Sequence, residues 1–129
     1  MLYRARAEFH VSSRYPWTDR EDELRDHLDE VVVQLKQKPV VGEIVVDGDP
    51  ARSWVIVELA FHGEKTDPDP GHDAKVLLSE AISGAGGLHE GLLPIGEEAK
   101  VKPKQNAWWG LRTPRWSARA FRLEVVPDT

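Results

Sequence analysis

The chain contains no cysteine and a single methionine. The missing cysteine excludes disulfides, thiolate nucleophiles and cysteine-ligated zinc, and it fits a cytoplasmic protein. Long apolar runs are missing too: none approaches the roughly 20 residues that a membrane-crossing helix needs, so a soluble protein is expected. The opening MLYRARAEFHV alternates charged with apolar residues where an export signal would need an unbroken apolar core. Nucleophile and phosphate signatures are also lacking. There is no G-x-S-x-G elbow, and the glycines of Ser83-Gly84-Ala85-Gly86-Gly87 follow a helical pattern, whereas a dinucleotide turn needs a strand before and a helix after.

What is present is a chain of 129 residues, 40% hydrophobic and 30% charged, which is the size and composition of one domain spanning 1–129 with its own core. The formal charge of −5 conceals an uneven layout. Between Ala99 and Leu123 lie seven basic residues, Lys100, Lys102, Lys104, Arg112, Arg115, Arg119 and Arg122, and no acid. The remainder is therefore strongly acidic. Such asymmetry suits a nucleic-acid footprint, and it equally suits an acidic body attracting a basic segment of its own or of a second copy.

Periodicity supplies the elements. Tyr3, Ala5, Ala7, Phe9 and Val11 alternate with Arg4, Arg6, Glu8 and His10, the pattern of a strand with one covered face. Thr18 followed by Glu21 has the form of a capping box, which predicts a helix starting there. Leu24, Leu28, Val31, Val32 and Leu35 continue it at helical spacing until Pro39. The seven carboxylates between Asp19 and Glu30 suit the helix dipole and a solvated face better than a cation site. VVGEIVVD and SWVIVELAFH then read as a hairpin, with Gly48 and Pro50 as turn residues. In the second run Val55, Val57, Leu59 and Phe61 oppose Trp54, Ile56, Glu58, Ala60 and His62. A second helix runs from Asp73 through Ile82, capped by Asp69, and ARAFRLEVV closes the chain as a strand.

The order β-α-β-β-α-β predicts an α+β fold of the ferredoxin-like, split βαβ kind, with an antiparallel sheet and both helices on one face. A connection of about thirty residues, 86–116, is far longer than the roughly 2–6 residues usual there. It is expected to hold an added hairpin. With a turn over Arg112 to Arg115, Leu111 would face Trp116 and Trp109 would face Ala118. Strict alternation then puts Trp116, Ala118, Ala120 and Arg122 on the side away from the helices, opposite Phe121, Leu123 and Val125.

That reading makes the outer sheet face the candidate site, built from Trp54, Ile56, Trp108, Trp109, Arg112, Arg115, Trp116, Arg122, Arg4 and Arg6. Three occupants suit it. A protein partner, most simply a second copy in a homodimer, would use tryptophan and arginine as its anchors. Single-stranded nucleic acid would stack its bases on the rings, although neither YRARAEFHV nor SWVIVELAFH has the RNA-binding strand motif. The chain's own segment could also fold over the face, with Arg112 or Arg115 resting on a ring. Trp17, beside Tyr15 and Pro16, is expected to anchor the approach to the first helix.

Metal chemistry has one candidate, the loop from His62 to Asp73, whose His62, Asp67, Asp69 and His72 are possible ligands. The spacing fits neither a helical zinc pair nor a calcium loop, so no metal and no cofactor is expected. His10, His27, His62, His72 and His89 have no sequence-local partner that would make any of them a general base. The expectation is a non-catalytic interaction module, with nucleic-acid binding and a small metal-dependent enzyme as alternatives.

Overall fold

The computed structural model describes residues 1–63, 69–92 and 116–128. Five strands form one sheet: β1 (Leu2–Ser13), β2 (Val41–Asp49), β3 (Trp54–His62), β4 (Gly87–Glu90) and β5 (Trp116–Pro127). Two helices, α1 (Glu21–Lys36) and α2 (Pro70–Gly84), complete the α+β architecture. The strand order is β2-β3-β1-β5-β4. β1 lies centrally and pairs antiparallel with β3 and β5, and β2 pairs antiparallel with β3.

The sheet is mixed, which corrects the expectation of a wholly antiparallel one. β4 runs parallel to β5, with Gly87 opposite Trp116 and His89 opposite Ala118. These are the positions that Leu111 and Trp109 were expected to fill. Since β1 holds the other side of β5, the proposed hairpin pairing has no free edge to use. Trp108, Trp109, Leu111, Arg112 and Arg115 themselves lie outside the described residues.

Regular alternation holds in β1 and β3. Tyr3, Ala5, Ala7, Phe9 and Val11 are buried, as are Val55, Val57, Leu59 and Phe61. They face Leu24, Val31 and Leu35 of α1 and Ala74, Leu77, Leu78, Ala81 and Ile82 of α2 in one core cluster. The covered face is therefore the one bearing Ala5 and Ala7, whose small side chains let the helices approach the central strand. Gly48 is a strand residue rather than a turn residue. It faces α1 so closely that a Cβ there would stand 2.7 Å from Leu28 Cδ1.

The start of α1 also departs from the sequence pattern. Trp17–Asp19 form a short 3-10 turn, and Arg20 precedes α1 without any side-chain cap, so the Thr18–Glu21 box is not made. Trp17 sets this geometry. Its indole is 1% exposed and donates from Nε1 to the Val11 carbonyl at 3.2 Å, tying the connection to β1. Arg20 then lies 5.4 Å from that ring and bonds to Ser13 Oγ at 2.9 Å and to Glu23. The bond to Glu23 pushes the Arg20 guanidinium further above its ordinary value, so it stays charged. At the second helix, Asp69 caps as expected, its Oδ1 accepting from the His72 N–H at 3.1 Å. No described helix is long and apolar enough to cross a membrane.

Candidate interaction face

The face of the sheet away from the helices is set by the registers. Across β2, β3, β1 and β5, one row reads Asp49, Trp54, His10, Arg119, and the next reads Asp47, Ile56, Glu8, Arg122. A third row runs Val45, Glu58, Arg6, Glu124. Arg4, with Val126 opposite it, starts a fourth. Trp54, Ile56, Arg4, Arg6 and Arg122 thus occupy the face where the sequence places them.

Most of the charge is internally matched. Arg6 reaches Glu58 at 3.1 Å and Glu8 at 3.5 Å, Arg4 reaches Glu43 and Asp128 at 3.4 Å each, and Arg122 pairs with Glu124. These pairs are partly exposed, so each contributes at most about 1 kcal/mol and chiefly orders the long side chains. The acids dominate toward β2, where Glu43, Asp47 and Asp49 follow one another. The arginines Arg4, Arg6, Arg119 and Arg122 lie on β1 and β5.

The aromatic content differs from the sequence reading because β5 is bulged. Phe9 pairs with Ala120 and Glu8 with Arg122, so Phe121 has no partner on β1. One extra residue reverses the faces on either side of it. Before the bulge, Trp116 and Ala118 point into the core, 3% and 2% exposed. After it, Leu123 and Val125 pack against the same core. Trp116 is therefore a core residue and no part of the outer face. Its ring stacks on His27 at 5.2 Å, covers Gly87, and donates from Nε1 to the Ala85 carbonyl at 3.3 Å.

Phe121 takes the place on the outer face that Trp116 was expected to hold. It is 75% exposed and meets Trp54 edge to face, with ring centroids 5.2 Å apart. The two rings come from the strands that flank β1. They reach each other across its His10 end. Val45, Val126 and, on β4, Leu88 are the other large apolar side chains exposed on this face.

Phe121 and the acids of β2 were not among the sequence candidates. A signal for the first was there: the inward set Trp116, Ala118, Ala120 changes parity before Leu123 and Val125, and a bulge between them reconciles the two halves. The loop candidates separate in the structure. His62 is exposed at the end of β3, Asp69 is occupied as a helix cap, His72 is exposed in the first turn of α2, and Asp67 lies outside the described residues. Among the described residues no three groups of metal-ligating type come together.

No family model, curated protein or solved structure matches this chain. The reading of the face therefore rests on its own geometry. An exposed phenylalanine on a bulge is unusual in a sheet whose outward charges are mostly ion-paired, and desolvating it would favour a partner.

Proposed function

We propose that the chain is a ferredoxin-like, split βαβ domain with one strand added beside β5, and that it is a non-catalytic interaction module which self-associates through the outer sheet face. A cytoplasmic setting belongs to this reading. The observation that carries it is the exposed Phe121 ring against the half-buried Trp54, set on strands either side of β1. A two-fold axis running along β1 in the interface exchanges the β3 and β5 sides, so Phe121 of one copy meets Trp54 of the other and the reverse, as an isologous contact requires. The same operation lays β3 over the partner's β5 and β2 over the partner's β4. The ring contact is what calls for this axis.

The size of the face limits the affinity. Four strands about 4.8 Å apart and about nine residues long at 3.3 Å each give a patch of roughly 600 Å² per copy. That is near the lower limit for a stable pair, in the size range of weak and transient encounters. Single-stranded nucleic acid is the competing occupant, and Glu8, Glu43, Asp47, Asp49, Glu58 and Glu124 oppose a phosphate backbone on this face.

Light scattering across the micromolar range tests the reading. The wild type should pass from monomer to dimer with concentration, and Phe121→Ser should remain a monomer with unchanged far-ultraviolet circular dichroism. A wild type that stays monomeric throughout, or a Phe121→Ser variant that dimerises equally well, would overturn it. Quenching of tryptophan fluorescence by an oligonucleotide, lost at high salt, would favour the competing occupant.

A further inference from the structure

A second surface lies at the opposite side of the molecule from β4. β2 is an edge strand, and among the described residues it pairs only with β3. Helix α1 overhangs that edge. Between them runs an open groove of about 360 Å³, floored by Leu24, Leu28 and Val32 of the helix and by Val46, Gly48 and Pro50 of the strand side. The floor is apolar where the inward side chains of one more strand would lie, and the volume is in the range of ligand clefts. Its rim is charged: Glu21, Asp29 and Asp47 against the single Arg25.

The outward side chains of β2 narrow the occupant. Residues 43, 45, 47 and 49 alternate with the inward Ile44, Val46 and Gly48, and three of those four outward residues are acids. A second copy of β2 paired antiparallel about Val45 would set Asp47 opposite Glu43 in both directions. Like charges directly opposite are unfavourable, so the edge repels its own kind. A strand carrying Lys or Arg on its outward side and apolar residues on its inward side satisfies both halves of the site at once. Its backbone completes the hydrogen bonds of the β2 edge, its cations face Asp47 and compete with Arg4 for Glu43 and with Arg52 for Asp49, and its apolar residues cover the α1 floor.

We infer that the groove between α1 and β2 is a peptide-binding edge that takes an extended segment of alternating basic and apolar residues as an additional strand. The groove lies apart from the Phe121–Trp54 pair but shares the outward acids of β2 with the outer face, so peptide binding is tested with self-association removed.

The test uses the full chain, as wild type and as Phe121→Ser, so that loss of self-association and loss of peptide binding are read separately. The probe is a labelled nine-residue peptide alternating Lys and Val, matching the nine residues of β2. Two control peptides accompany it: one of the same composition with its lysines and valines in separate blocks, and one alternating Glu and Val. Fluorescence anisotropy should show binding of the alternating Lys–Val peptide to both proteins, about tenfold or more tighter than either control. Backbone amide shifts should concentrate in residues 41–49. The double variant Glu43→Lys with Asp47→Lys should reverse the preference toward the Glu–Val peptide, a gain that general destabilisation cannot produce.

Equal binding of the blocked peptide would reduce the site to non-specific attraction and overturn the inference. So would shifts confined to the solvent side of α1 or to the Phe121 face. Shifts in β2 that grow with protein concentration without peptide would make the occupant a second copy, against the proposal.

Discussion

Deleting Phe121 should leave the fold almost intact, which is an unusual expectation for removal of a residue from the interior of a strand. Ala120 faces the core side opposite Phe9, and Arg122 faces outward opposite Glu8, with Phe121 unpaired between them. Its removal restores plain alternation, because Arg122 stays outward and Leu123 and Val125 stay inward. The loss can be sized from the structure. With three quarters of the ring already exposed, only about a quarter of the roughly 1.5–3 kcal/mol available from burying a phenylalanine is forfeited. The edge contact with Trp54 adds about 0.5–1.5 kcal/mol. The sum is about 1–2 kcal/mol. Deleting Glu58 from β3 is the contrasting case, since no bulge there can absorb it and Leu59 and Phe61, both fully buried, would turn outward. At about 1.5–3 kcal/mol each, those two side chains alone cost roughly 3–6 kcal/mol, a large part of the ~5–15 kcal/mol that holds a domain together. Urea unfolding followed by circular dichroism measures both deletions beside the wild type. If the Phe121 deletion is as damaging as the Glu58 deletion, the bulge does not separate the two halves of β5 and the assignment of its faces fails.

Other consequences follow from the same packing. Trp116→Ala should cost about 3–5 kcal/mol in the same urea assay, as expected for a core tryptophan, whereas a value within about 0.5 kcal/mol of zero would return it to the surface. Gly87→Ala brings a Cβ to 2.6 Å from the Trp116 ring and 3.0 Å from Ile82 Cγ2, so overpacking should cost about 1–3 kcal/mol in thermal or chemical unfolding. Asp69→Ala should cost about 1 kcal/mol through loss of the cap on α2, and Asp69→Asn should recover most of it, with both stabilities read from urea midpoints.

The parts of the fold that were legible in the sequence are those governed by local periodicity. β1 and β3 alternate without interruption, so parity alone identifies Phe9, Val55, Leu59 and Phe61 as core. α1 and α2 show helical spacing, and the Asp69 cap follows from one side chain at one position. What parity cannot carry is a change of parity. One unpaired residue at position 121 exchanged Trp116 and Phe121 between core and surface, and with them the identity of the exposed aromatic. β4 was hidden for a different reason: four residues, Gly87–Glu90, have little pattern of their own, and their strand character depends on the parallel neighbour β5. The capping box at Thr18 failed because burial of the Trp17 indole, bonded to Val11, tightens residues 17–19 into a 3-10 turn. Of the candidate face, Arg4, Arg6, Trp54 and Ile56 were readable because they sit in regularly paired strands, and Arg122 because it alternates with Leu123 and Val125 after the bulge. The acids of β2 became a feature only once the sheet order made that strand an edge.

The central claim is that Phe121 and Trp54 form a surface on which two copies meet. Its most direct test is a filtered nuclear Overhauser experiment on a mixture of isotope-labelled and unlabelled protein, which detects only contacts between copies. Cross-peaks between the Phe121 ring of one copy and the Trp54 ring of the other are predicted. If copies associate with no such cross-peaks, or with contacts that fall on α1 and β2 instead, the account of the outer face is contradicted.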